Sequence, residues 1–153
     1  MAANENRDLL MEFINTIWNE QKVDHLGNFI VDDYVEHTPL GSFNGLNEFQ
    51  GFVSLNLRAF PDFSVELDNV LVDGNFVACN YLSSGTHEEE YMGIEATGNY
   101  AEVDGCYLGK FEDGELVEGW NQFDVLALLM AMEVITPGMV GGLEDTAGRA
   151  QPQ

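Results

Sequence analysis

Residues 63–82 read FSVELDNVLVDGNFVACNYL, and here the apolar period is two. Phe63, Val65 and Leu67 alternate with Ser64, Glu66 and Asp68, and Asp73-Gly74 then leads into a second run, Asn75 to Leu82. Alternation describes strands with one buried face. Asp-Gly between two such runs is a hairpin signal, because glycine readily adopts the positive φ that tight turns between twisted strands require. The stretch predicts two long antiparallel strands.

Working outward toward the C-terminus, Tyr100 to Phe111 predicts a third strand, Glu112-Asp113-Gly114 a second tight turn, and Leu116 to Phe123 a fourth strand. The chain then turns helical from Asp124 to Met132. Toward the N-terminus the period is helical. Leu9, Leu10, Phe13, Ile14, Ile17 and Trp18 form one stripe, with Asn4 or Asn6 placed to cap it. Leu46, Phe49, Val53, Leu57 and Phe60 form a second, with Asn44 as cap and Pro61 as stop. Between the two helices lie Phe29-Ile30-Val31 and Asp33 to Pro39, followed by a loop punctuated by Gly41 and Gly45. Helices followed by an antiparallel meander give an α+β fold, with helices covering one face of a strongly bent sheet and a cavity inside the resulting cone. A chain of 153 residues suits one domain, placed at 1–136. Residues 137–153 carry little apolar periodicity and are expected to form a frayed, flexible tail.

Composition narrows the partners. Asp and Glu number 27 against 5 Lys and Arg, a net charge of −22, and the only basic side chains are Arg7, Lys22, Arg58, Lys110 and Arg149. Such a chain has no basic stripe for nucleic acid and repels an anionic membrane surface. A small neutral or apolar molecule is the expected ligand. The acidity also matches adaptation to a salt-rich cytosol, where screening relieves self-repulsion. The start, MAANENRDLLMEF, lacks the pattern of a signal peptide, and the longest apolar run, Val125 to Met132, is far shorter than the ~20 residues that span a bilayer. A cytoplasmic location is expected. Cys79 and Cys106 lack metal-ligand spacing and read as free buried thiols. Apolar residues assigned to the sheet face away from the cavity, among them Val77, Tyr81, Val117 and Phe123, predict a homodimer.

Several motifs in this order resemble the SnoaL-like polyketide (ester) cyclases of the NTF2-like superfamily. They are Tyr34-Val-Glu-His37-Thr-Pro39, Phe60-Pro61-Asp62, Gly85-Thr86-His87 with Gly93-Ile94-Glu-Ala-Thr97-Gly98, and Glu112-Asp113-Gly114 running on through Trp120-Asn-Gln-Phe-Asp124. The resemblance spans residues 9 to 132. It implies the NTF2-like cone and a cofactor-independent, metal-free enzyme of lyase or isomerase type. Such an enzyme closes a ring on a small apolar carbonyl compound, a polyketide-like ester, by intramolecular aldol chemistry. By motif position it makes Asp124 the general acid/base, a carboxyl that needs apolar surroundings to hold its proton near the working pH. Alternation puts Asp124 on one sheet face with Trp120 and Gln122. The same residue is also well placed to cap the last helix. His87 is a candidate donor to a substrate carbonyl, and His37 a candidate ligand contact. Lys110 would pair with Asp124 or polarise a carbonyl if it points inward. Trp18, Phe52, Asn56 and Phe60 are expected as pocket wall. Gly119 stands where many members carry His. The same pocket also suits a noncatalytic ligand-binding protein, or a hydrolase activating water through Asp124 with His87 or Gln122.

Overall fold

The computed structural model describes residues 2–140. Helix α1 (Ala2–Ile14) runs into a wider π turn, Asn15–Asn19, and a short 3-10 segment, Val23–Asn28. Strands β1 (Ile30–Thr38) and β2 (Gly41–Asn44) follow, then helix α2 (Leu46–Ala59). Strands β3 (Ser64–Asp73), β4 (Phe76–Thr86), β5 (Tyr100–Glu112) and β6 (Glu115–Phe123) form the expected meander, and α3 (Val125–Ala131) closes it. Pro137–Val140 is a 3-10 turn, and the rest of the expected tail lies outside the described residues.

All six strands belong to one curved, unclosed sheet in the order β2-β1-β6-β5-β4-β3. Every pairing is antiparallel except β1 with β6, which is parallel. The two hairpins use different turns. In the first, only Gly74 of the pair Gly74-Asn75 has positive φ, as a type II′ turn requires; in the second, Asp113 and Gly114 both do, as in type I′. Register shifts at Leu67/Asn69 and Lys110/Phe111 mark bulges, which bend the strands and help the sheet wrap.

The helices pack on the concave face. Leu10, Phe13 and Ile17 from the first helical stripe and Phe49, Phe52 and Val53 from α2 join Tyr34, Val77, Tyr107 and Phe111 of the sheet in the main core. A smaller cluster of Ala59, Phe60, Tyr91, Leu128 and Met132 joins the end of α2 to α3. The end of the π turn holds an outer strand: Asn19 Nδ2 donates to the Val65 carbonyl at 3.0 Å and its Oδ1 accepts from the Val65 amide at 2.7 Å. Because β3 is a sheet edge, these bonds satisfy backbone groups that have no neighbouring strand.

Several local expectations are corrected. Asn4 and Asn6 lie inside α1, not at its start, and Asn6 is buried. The N-cap of α2 is Gly45, at a φ of 91°, while Glu48 reaches back to accept from the Asn44 amide at 2.6 Å. Both cysteines are free, but only Cys79 is buried; Cys106 alternates to the opposite face and is exposed. Val77 is fully buried in the core, and Tyr81 and Phe123 line the cavity. The apolar outer face invoked for a homodimer therefore loses three of its four residues. Among the described residues no helix is long and apolar enough to cross a membrane.

Candidate active site

The sheet and helices surround an apolar cavity that opens to solvent. Its walls are built by period. Odd-numbered residues of β4 and β5 point inward, bringing Tyr81, Ser83, Gly85, Ala101, Val103 and Tyr107 into the lining. Helix α2 contributes Phe52 and Asn56, with Phe60 just beyond its end, and the π turn contributes Trp18. Trp18 packs on Phe63 at a centroid distance of 5.1 Å and edge-on against Phe52 at 6.5 Å. Asn56 accepts a hydrogen bond from the Tyr91 hydroxyl at 3.0 Å and donates to the Phe52 carbonyl at 2.7 Å, so its polarity is internally satisfied.

Among the described lining residues, one carboxyl enters this cavity. Glu36, 1 % exposed, projects inward from β1 on the same face as Tyr34. The Tyr34 hydroxyl donates to Glu36 Oε1 at 2.6 Å and lies 2.6 Å from the Tyr107 hydroxyl. Tyr34 has a single hydroxyl proton and gives it to Glu36, so Tyr107 donates to Tyr34 and the three groups form a directed row. On the other side, the Tyr81 hydroxyl donates to Asn121 Oδ1 at 2.5 Å, which holds the Asn121 side chain at the cavity wall. Gly105 makes this possible, because a Cβ there would collide with the Tyr81 ring.

Burial decides the state of the acid. Desolvation pushes the Glu36 carboxyl up to about 8, with the Tyr34 hydroxyl and the Asn121 side chain pulling the other way. Among the described lining residues there is no Lys, Arg or His to offset a negative charge. Burial also raises both the Tyr34 and Tyr107 phenols well above their ordinary value, and the charge of Glu36 adds to the effect. The site is a carboxyl that exchanges its proton near neutrality, held by neutral donors in apolar surroundings. Such a group can take a proton from carbon and return it to oxygen.

The structure separates the residues expected from motif position. Asp124 is exposed and does not line the cavity; it is the N-cap of α3, its Oδ1 accepting from the Ala127 amide at 3.0 Å. Trp120 and Gln122 share its parity, as expected, but it is Asn121 and Phe123 that face inward. Period two fixes which residues share a face and leaves open which face is concave. Trp120 instead stacks on His37 at 5.4 Å, and His37 Nε2 lies 2.6 Å from Glu118 Oε2 on that outer surface. Lys110 also points outward, 3.8 Å from Glu112. His87 is 1 % exposed but lies behind Phe60, stacked on it at 5.5 Å. Its Nδ1 lies 3.1 Å from Thr97 Oγ1 and 3.3 Å from the Thr97 amide nitrogen, and its Nε2 has no partner among the described residues. The water-activating set of Asp124, His87 and Gln122 is therefore dispersed. Trp18, Phe52, Asn56 and Phe60 do line the cavity.

Glu36 was missed, although the sequence held a signal for it. In Tyr34-Val-Glu36-His37 the Glu shares parity with a large aromatic residue, and a carboxyl on the apolar side of a strand is rare unless it is partnered or functional.

Comparison with known proteins gives a consistent picture. A family model described as SnoaL-like polyketide cyclase matches residues 8–132. A crystal structure of AclR, a putative hydroxylase from Streptomyces galilaeus, superimposes with a TM-score of 0.79 at 22% identity, over 88% of this chain and 99% of that one. A putative SnoaL-like polyketide cyclase from Jannaschia sp. CCS1 gives 0.81 at 19% identity, over 88% and 95%. IdmH, a putative polyketide cyclase from Streptomyces antibioticus, gives 0.72 at 22% identity, over 84% and 98%. At these identities the likeness is one of fold. No curated protein matches the sequence.

Proposed function

Since this chain belongs to the SnoaL-like polyketide cyclase family, we propose that its cavity binds a small uncharged carbonyl compound and that Glu36 transfers a proton on it. The observation that carries this reading is a carboxyl that stands alone among the described lining residues, desolvated and met by a neutral donor, at the polar end of an apolar pocket. In a ring closure of aldol type, ionised Glu36 takes a proton from a carbon next to a carbonyl. The resulting enolate carbon attacks a second carbonyl of the same molecule, and the new alkoxide takes the proton back from Glu36. Atoms and charge balance without a further reactant. With the Tyr107 hydroxyl proton given to Tyr34 and the Tyr81 proton to Asn121, the Asn121 amide N–H groups at the cavity surface are the donors left for an oxygen that gains charge along the way. The absence of a cation among the described lining residues, together with the net charge of −22, favours an uncharged ester over a free acid or a phosphate.

The test is to offer uncharged aromatic keto-esters to the protein and to its Glu36→Gln variant. Turnover that falls by ~10²–10⁴-fold in the variant, with binding retained, supports the reading. Equal turnover in the two proteins contradicts it. A noncatalytic binding role has one specific observation in its favour: the Tyr34 hydroxyl is already committed to Glu36. That role predicts ligand binding with no turnover by either protein.

A further inference from the structure

We propose that Gly119 is a positioning residue of this site, and that the space left by its missing side chain is what seats the Tyr107–Tyr34–Glu36 row. The inference rests on the reading of Glu36 given above. Gly119 is a buried residue of β6, paired with Glu36 of β1 on one side and with Gly109 of β5 on the other. It therefore sits between the two strands that carry the row. Its φ lies outside the left-handed region, so any residue could adopt its backbone conformation; here glycine serves space and not chain geometry. A Cβ at this position would collide with the hydroxyl oxygens of both Tyr34 and Tyr107 and would lie 2.7 Å from Glu36 Oε1. The atoms in the way are the three polar atoms of the row itself. Glycine in a strand interior weakens the strand and commonly marks such a close approach. A side chain here would push the hydroxyls off the carboxyl, and the acid would keep its burial while losing a donor.

The experiment follows the Glu36 carboxyl by carbon-detected NMR titration and the fold by thermal melting, in the wild type and in Gly119→Ala. Both comparisons are repeated in a background carrying Tyr34→Phe and Tyr107→Phe, which lacks the two hydroxyls. In the wild-type background, Gly119→Ala is expected to raise the Glu36 midpoint by roughly one to two pH units, the effect of losing one hydrogen bond to a charged group. It is also expected to lower the melting temperature. In the double-Phe background both effects should shrink to a small remainder. An unchanged midpoint, or equal shifts in the two backgrounds, overturns the proposal. Should Gly119→Ala alone fail to fold, a cooperative melt in the double-Phe background supports the proposal, and continued failure there overturns it. These readouts need no substrate. Retained turnover in Glu36→Gln would sink the catalytic reading and leave the seating role standing, whereas a flat midpoint in Gly119→Ala would do the reverse.

Discussion

Glu36 carries a thermodynamic cost whose sign is fixed by its surroundings. Its folded-state value of about 8 lies above the ordinary 4.5, so between those pH values the folded protein holds a proton that the unfolded chain has released. Stability from this group is fully present below about 4.5, declines by roughly 1.4 kcal/mol per pH unit above it, and levels off beyond 8. Glu36→Gln removes the loss. The variant is therefore expected to melt progressively higher than the wild type as pH rises from 5 to 8, and paired melting curves across that range check it. Asp124 offers the contrast. As an exposed helix cap, Asp124→Ala should lose about 1 kcal/mol, Asp124→Asn should lose much less, and neither should alter ligand binding in the cavity. Denaturant unfolding and ligand titration of the two variants measure both effects. The sequence showed Asp124 as both motif residue and cap. The geometry of the sheet end shows the cap, because capping depends on which way the chain leaves β6.

The long strands, their two hairpins and the two main helices were legible because each rests on local period and turn chemistry. Phe63 to Leu82 carries its alternation within one stretch, and Gly74 and Gly114 sit where positive φ is needed. What escaped was non-local. The parallel pairing of β1 with β6 joins segments some eighty residues apart, as in His37 with Trp120, and no local pattern announces it. That pairing is what brings Glu36 beside Gly119 and Tyr34 beside Tyr107. The π turn was likewise invisible, since the helical stripe simply continues through Ile17 and Trp18. It matters to the site because it delivers Trp18 to the cavity and Asn19 to the edge of β3. Asn19→Ala removes both bonds to Val65 and should cost about 1–2 kcal/mol. Faster amide exchange at Val65 than in the wild type is the local check.

For the molecule as a whole, charge is the dominant global term. Acidic groups outnumber Lys and Arg by 27 to 5, and the ion pairs seen, such as Lys22–Glu20 and Lys110–Glu112, are exposed and contribute little. Self-repulsion should therefore weaken the fold in dilute buffer, and screening should restore it, since the Debye length falls from ~30 Å at 0.01 M to ~3 Å at 1 M. The melting temperature is expected to rise between dilute buffer and molar potassium chloride; a flat response would remove repulsion as an important term. An uncharged ligand in a largely apolar cavity has no net charge for this surface field to act on. Salt should accordingly change stability more than it changes the affinity of an uncharged ligand.

The most direct test of the central claim is the titration of the Glu36 carboxyl carbon, assigned by its disappearance in Glu36→Gln. A midpoint close to 8 in the ligand-free protein is predicted, and it should move when an uncharged ligand fills the cavity. A midpoint between about 4 and 5, indifferent to ligand, would contradict the account, because that carboxyl would be an ordinary ionised glutamate and no proton carrier.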